Sequence, residues 1–230
     1  MTTALTDRPR QSHERRSAAA GSLVSMVSGL MTRLATWRAW IVSASTFVVF
    51  AGLFFGSSAP FAIPQVEAAC GQAPPDVRFT SSASDVSSFL DACGVVGRDA
   101  YQSMQMADLL YPLVFGLFMA ASLALALAHL APGRQSVLAV AALPLVGTVF
   151  DYLENVFAWL AMAAYPDPSA TGSLLGLASA AKTTAFWIAG IVLIGAVGAL
   201  AVVEGRRRLR HRAVRLVRGA ADEPATNEDA

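Results

Sequence analysis

SVLAVAALPLVGTVFDYLENVFAWLAMAAY, running from Ser136 to Tyr165, decides how the chain is read. At ~1.5 Å of rise per residue the stretch is long enough to cross a bilayer as a helix. Yet it carries Asp151, Glu154 and Asn155 in its interior. An Asp at the centre of a membrane helix costs roughly 2.5–3.5 kcal/mol on insertion scales. Residues at these spacings lie about one turn apart and share a face. That face is expected to look at protein, water or a ligand, and away from acyl chains.

The rest of the chain agrees. Of 230 residues 55% are hydrophobic and 14% charged, and the mean hydropathy is +0.51. Apolar runs at about 39–57, 109–130 and 180–203 join the one at about 137–164, so four spans are expected. The fold class that follows is all-α: a transmembrane four-helix bundle with a partly helical extracytoplasmic loop. Residues 1–37 read as a basic cytoplasmic tail, 38–204 as the membrane domain with its loop at 59–107, and 205–230 as a basic amphipathic and then acidic disordered tail. Within the first tail, Ser17 to Leu34 reads either as disordered or as an interfacial helix with Leu23, Val24, Val27, Leu30 and Leu34 on its apolar side. The Ser57-Ser58-Ala59 exit of the first span leaves cleavage as a secretory signal open.

Charge sets the orientation. Arginines crowd both ends, while the loop after span one holds only Arg78 and Arg98. The positive-inside rule then places both termini in the cytoplasm of a multi-pass protein of the cell (plasma or inner) membrane. The 59–107 loop faces an oxidising compartment, where Cys70 and Cys93 are expected to form a disulfide. The chain has no CxxC pair, which argues against redox catalysis.

Local signals add detail. Ser84-Asp85 is expected to cap a short helix that Gly94 and Gly97 interrupt, and Asp99 to Ala107 forms a second piece. Pro112 suits the first turn of span two, where Gly116, Ala120, Ala124 and Ala128 make a small-residue stripe for close helix approach. Pro144 is expected to kink span three, and 166–179 reads as a loop.

The chemistry lies among the intramembrane polar groups. Two carboxylates three residues apart in low dielectric cannot both be ionised without a cation: one keeps its proton, or Lys182 reaches down to pair with Glu154. Asp151, Glu154 and Asn155 are the candidate catalytic residues; Asp108, Tyr111, Tyr152, Lys182 and Thr183 are candidates for binding a ligand. The leading reading is a structural or assembly bundle with a buried polar network. A membrane-embedded enzyme or binder acting on a lipid or isoprenoid is the first alternative, and a proton- or cation-coupled carrier subunit the second. Whether the protein is an enzyme stays open. No phosphate-cradling glycine motif leads a helix, and His13, His129 and His211 are far apart, so neither cofactor nor metal is expected. The expected partners are membrane lipids and a second copy or another membrane protein, with no nucleic acid.

Three motifs, Gly97-Arg98-x-x-Tyr101, Asp108-x-x-Tyr111-Pro112 and Phe150-Asp151-Tyr152-x-Glu154-Asn155, together resemble an uncharacterised family of small bacterial four-span integral membrane proteins. The resemblance covers about residues 85–203. It implies the span count and no activity.

Overall fold

A computed structural model describes residues 21–22, 24–167 and 170–221, with side chains described through residue 210. Expectations for residues 1–20, for Leu23 and for 222–230 lie outside the described residues. The fold is all-α. Residues 24–34 form α1. It is followed by α2 (Trp37–Gly56), α3 (Ile63–Cys70), α4 (Ala83–Ala107), α5 (Tyr111–Leu130), α6 (Gln135–Leu138), α7 (Leu143–Ala164) and α8 (Ala170–Ala221), with 3-10 turns at Pro75–Val77 and Ala139–Ala142.

Four helical stretches are long and apolar enough to cross a membrane: Trp37–Gly56, Ala83–Leu130, Gln135–Ala164 and Ala170–Arg210. Ile41, Val42 and Val48 on α2, and Ile188, Ile191 and Ile194 on α8, point outward. Such faces suit hydrocarbon, which is as apolar as the side chains themselves. This is the span content of a multi-pass membrane protein.

Several expectations are corrected. The proposed kink at Pro144 is a restart: α6 and a 3-10 turn precede it, and Pro144 stands in the first turn of α7. There its missing N–H leaves no helical bond unmade. The 166–179 loop is mostly helix, because α8 begins at Ala170. Glycine permits this early start. A Cβ on Gly176 would stand 1.9 Å from the Ser81 carbonyl oxygen, and one on Gly172 2.9 Å from Ala83 Cα. At its far end α8 continues unbroken past the apolar run into the arginine-rich segment.

The segment before α5 forms a cap on one end of the bundle. The cap of α4 is Ser82, with Asp85 as its reciprocal partner: the Asp85 N–H donates to Ser82 Oγ at 3.1 Å, and the Ser82 N–H to Asp85 Oδ2 at 2.8 Å. The expected Ser84-Asp85 cap is therefore shifted toward the N-terminus. Gly94 does break the helix, at φ 59°. Gly97 does not; it packs beneath the Cys70–Cys93 disulfide, where a Cβ would lie 2.8 Å from Cys93 Cβ. The disulfide joins α3 to α4 over a core of Val66, Phe89, Leu90 and Leu175.

At the opposite end α1 docks on the bundle through Met31, buried with Leu123, Leu138 and Ala196. Val24 and Leu30, expected on its apolar side, are exposed. The buried side is instead Ser28 and Met31, flanked by Val27 and Leu34, which follow one another at helical spacing. In α5 the small-residue stripe is used for close approach: Gly116 takes Thr148 of α7 against its backbone, and Ala120 and Ala124 are fully buried. Ala128 is only partly covered.

Candidate functional site

The polar face of α7 is turned inward. Asp151 is 5% exposed, Glu154 0% and Asn155 1%. Other elements bring their partners to this face. The 3-10 turn of the cap supplies Asp76, the end of α4 supplies Tyr101, Gln105 and Asp108, and α8 supplies Ser179 and Lys182. Asp76, Tyr101, Gln105, Asp108 and Ser179 are all buried.

Lys182 is the hub. Its Nζ bonds Glu154 Oε2, donates to the Asp76 carbonyl oxygen at 3.2 Å and lies 3.5 Å from Asp151 Oδ1. Ser179 Oγ donates to the other Glu154 oxygen, so both oxygens of that carboxyl are engaged. Gln105 Nε2 donates to Asp76 Oδ2 at 2.7 Å. Burial pushes the Asp76 carboxyl above its ordinary value, and the Lys182 charge pulls it back. Around this centre three side chains of α7 hold the α4–α5 junction through its carbonyls. Asn155 Nδ2 donates to Asp108 O at 3.3 Å, Tyr152 to Leu109 O at 2.9 Å and Thr148 to Pro112 O at 3.0 Å.

Five buried atoms of the cluster make no hydrogen bond within the protein: Asp76 Oδ1, Tyr101 Oη, Gln105 Oε1, Asp151 Oδ1 and Asn155 Oδ1. Four carboxyls, of Asp76, Asp108, Asp151 and Glu154, thus gather about a single ammonium. Among the described residues no three His, Cys, Asp or Glu side chains converge in a metal-holding arrangement.

One end of a groove opens on this centre. About 580 Å³ in volume, it is walled by Tyr111, Phe115 and Met119 of α5 and by Phe186, Trp187, Gly190, Ile191 and Ile194 of α8. Asp151, Lys182 and Thr183 line the same space. From Lys182 to Ile194 the wall of α8 spans about 18 Å at helical rise. The volume falls in the range of roughly 300–1,000 Å³ common for small-molecule sites. Phe186 reaches its place because Gly147 has no side chain: a Cβ there would meet the ring at 2.8 Å. Phe186 also packs on Phe115, with ring centroids 4.8 Å apart.

The candidate residues divide among three settings. Asp151, Glu154, Asn155 and Lys182 come together in the centre, and of the two alternatives, a retained proton or a Lys182–Glu154 pair, the structure shows the pair. Tyr111 and Thr183 line the groove, whereas Tyr152 spends its hydroxyl on Leu109. Asp108, a candidate for binding a ligand, is the buried C-terminal cap of α4 and does not line the groove. Asp76 and Ser179 are additions that sequence reading passed over; the one signal available for Ser179 was its position three residues before Lys182, on the same helical face. The resembling motifs also acquire physical roles. Arg98 donates to Leu90 O at 3.0 Å and covers the Tyr165 ring at 4.6 Å, which ties α4 to the end of α7.

Fold and site together define an all-α protein with several candidate membrane spans, built round a buried network of Asp, Glu, Ser and Thr side chains. Neither a family model, a curated protein nor a solved structure matches the chain.

Proposed function

We propose that the protein binds a membrane lipid, taking its chain into the groove between α5 and α8 and its head at Asp151 and Lys182. The observation that carries this reading is the groove's polarity: apolar along α8 and polar only at the end where it meets the network. Trp187, Ile191 and Ile194 on its rim are more than two-thirds exposed, so a lipid in the surrounding bilayer reaches it sideways. The Cys70–Cys93 disulfide supports setting the cap in an oxidising compartment, with both chain ends on the cytoplasmic side.

The test exploits Gly190, which lines the groove and has nothing within 4 Å of an added Cβ. Gly190→Phe fills the groove without touching the network. Gly198→Phe, equally open but off the groove, is the control. Lipid co-purifying with the protein, counted by mass spectrometry, is expected to fall in Gly190→Phe and to persist in Gly198→Phe. Equal lipid content in both variants and the wild type would overturn the proposal.

A second reading is favoured by Glu154, whose carboxyl is wholly enclosed and fully bonded. On that reading the network acts as a structural lock among the cap, α7 and α8. It predicts that Glu154→Gln lowers the yield of folded protein while the lipid bound per folded molecule stays unchanged.

A further inference from the structure

Asp151 and Lys182 are the network members that also line the groove. Glu154 meets Lys182 and Ser179; Asp151 has no such set. Its Oδ1 makes no hydrogen bond, and Lys182 Nζ at 3.5 Å stands within ion-pair reach only. A buried carboxyl oxygen without a donor is costly. Two of the three N–H groups of Lys182 go to Glu154 and to the Asp76 carbonyl, which leaves one for Asp151 at the longer distance of 3.5 Å. Thr183 and Tyr111 also line the groove, and each offers a hydroxyl that both donates and accepts.

Charge at the groove's polar end selects among head groups. The groove itself is lined by one carboxyl, Asp151, and one ammonium, Lys182, with the carboxyls of Asp76, Asp108 and Glu154 behind them, so an anionic head adds negative charge to an already acidic cluster. A cationic head is set against Lys182. Resting on the lipid-binding reading above, we infer that the groove takes a neutral amphiphile with a free hydroxyl head, a long-chain alcohol by chemical class. Its O–H donates to the Asp151 carboxyl and its oxygen accepts from Thr183. No covalent step is involved. The chain of the alcohol lies along Phe186, Trp187, Gly190 and Ile194.

Trp187 on the groove wall is a built-in reporter. The full-length chain with Trp37, Trp40 and Trp159 changed to Phe is placed in phosphatidylcholine nanodiscs. It is titrated with a long-chain alcohol brominated at mid-chain, with the sulfate ester of that alcohol, and with its trimethylammonium analogue. The alcohol is expected to quench Trp187 saturably, with an apparent affinity at least about tenfold above either charged analogue, the scale of one hydrogen bond to a charged group. Asp151→Leu should erase that preference, and Gly190→Phe should reduce all three to the quenching of bulk bilayer partition. The comparison of heads uses the unaltered site, so it decides the matter even where Asp151→Leu is poorly recovered. Saturable and equal binding of all three, or a preference for the sulfate or the ammonium, overturns the head-group inference while leaving the groove as a lipid site. Absence of saturable quenching, or quenching indifferent to Gly190→Phe, overturns both.

Discussion

Replacing Lys182 by Met keeps most of the side-chain stem and removes only the charge at the centre of the network. Three contacts of Nζ go with it: the pair with Glu154 Oε2, the bond to Asp76 O at 3.2 Å and the approach to Asp151 Oδ1 at 3.5 Å. Glu154 is 0% exposed and cannot turn to solvent for compensation. Removing one partner of a buried ion pair costs about 3–5 kcal/mol, because the charge left behind is desolvated and unpaired. The expected loss for Lys182→Met is therefore about 3–5 kcal/mol. Removing both charges should be milder than removing one, since Glu154 is then no longer left as an enclosed charge without its cation. In Lys182→Met/Glu154→Gln the Gln carbonyl still accepts from Ser179, so the double variant should be more stable than the sum of the singles by about 1–3 kcal/mol. Equilibrium unfolding in mixed dodecylmaltoside and dodecyl sulfate micelles, followed by circular dichroism, measures all four proteins. A Lys182→Met cost below about 1 kcal/mol, or strict additivity in the double variant, would refute the claim that this pair is the hub.

Two further outcomes follow from the cap. Gly176→Ala drives a Cβ to 1.9 Å from a backbone oxygen of Ser81 and should cost about 1–3 kcal/mol as overpacking. Gly198→Ala meets nothing and should be neutral or stabilising by up to about 1 kcal/mol through helix propensity; equal losses in the same unfolding assay would count against α8 resting on the cap. For Asp76, burial raises the folded-state pKa above the unfolded one, so the folded protein holds the extra proton between the two values and stability falls as pH climbs through that window. Asp76→Asn keeps an acceptor for Gln105 and should flatten this part of the slope; an unchanged pH profile would show that Asp76 is not the group responsible.

How much of this was legible depended on how local the cause was. The spans are written in contiguous apolar runs, and the shared face of Asp151, Glu154 and Asn155 follows from helical period alone. The Lys182–Glu154 pair was readable because an ammonium and a carboxyl in neighbouring spans have few other partners. Asp76 was not. It follows Pro74 and Pro75, a pattern typical of an exposed turn, and its partners, Gln105 of α4 and Lys182 of α8, are distant in sequence and leave no local mark. Ser179 was hidden inside a small-residue segment that reads as loop. The restart at Pro144 shows the converse limit: a proline inside an apolar run marks a discontinuity, but tertiary packing decides whether it bends one helix or begins another.

Glycine in α8 shows where sequence pattern stops and structure takes over. Gly172 and Gly176 are filled by the cap, with Ala83 and Ser81 pressed onto them. Gly190, Gly195 and Gly198 have nothing within 4 Å of an added Cβ. The same residue type on one helix therefore seats protein at the capped end and leaves bare surface beyond it. In a bilayer, where apolar burial gives helices little reason to associate, close packing and polar contacts decide which surfaces meet. Along α7 both are present: Gly147 admits Phe186, and Glu154 pairs with Lys182. Between α5 and α8 the Phe115–Phe186 contact forms a wall, and beside it runs the groove where Gly190 is bare. The groove and the network are thus two consequences of one arrangement: α8 is held firmly where it carries Ser179 and Lys182, and is left open to the surrounding lipid one to three turns further on.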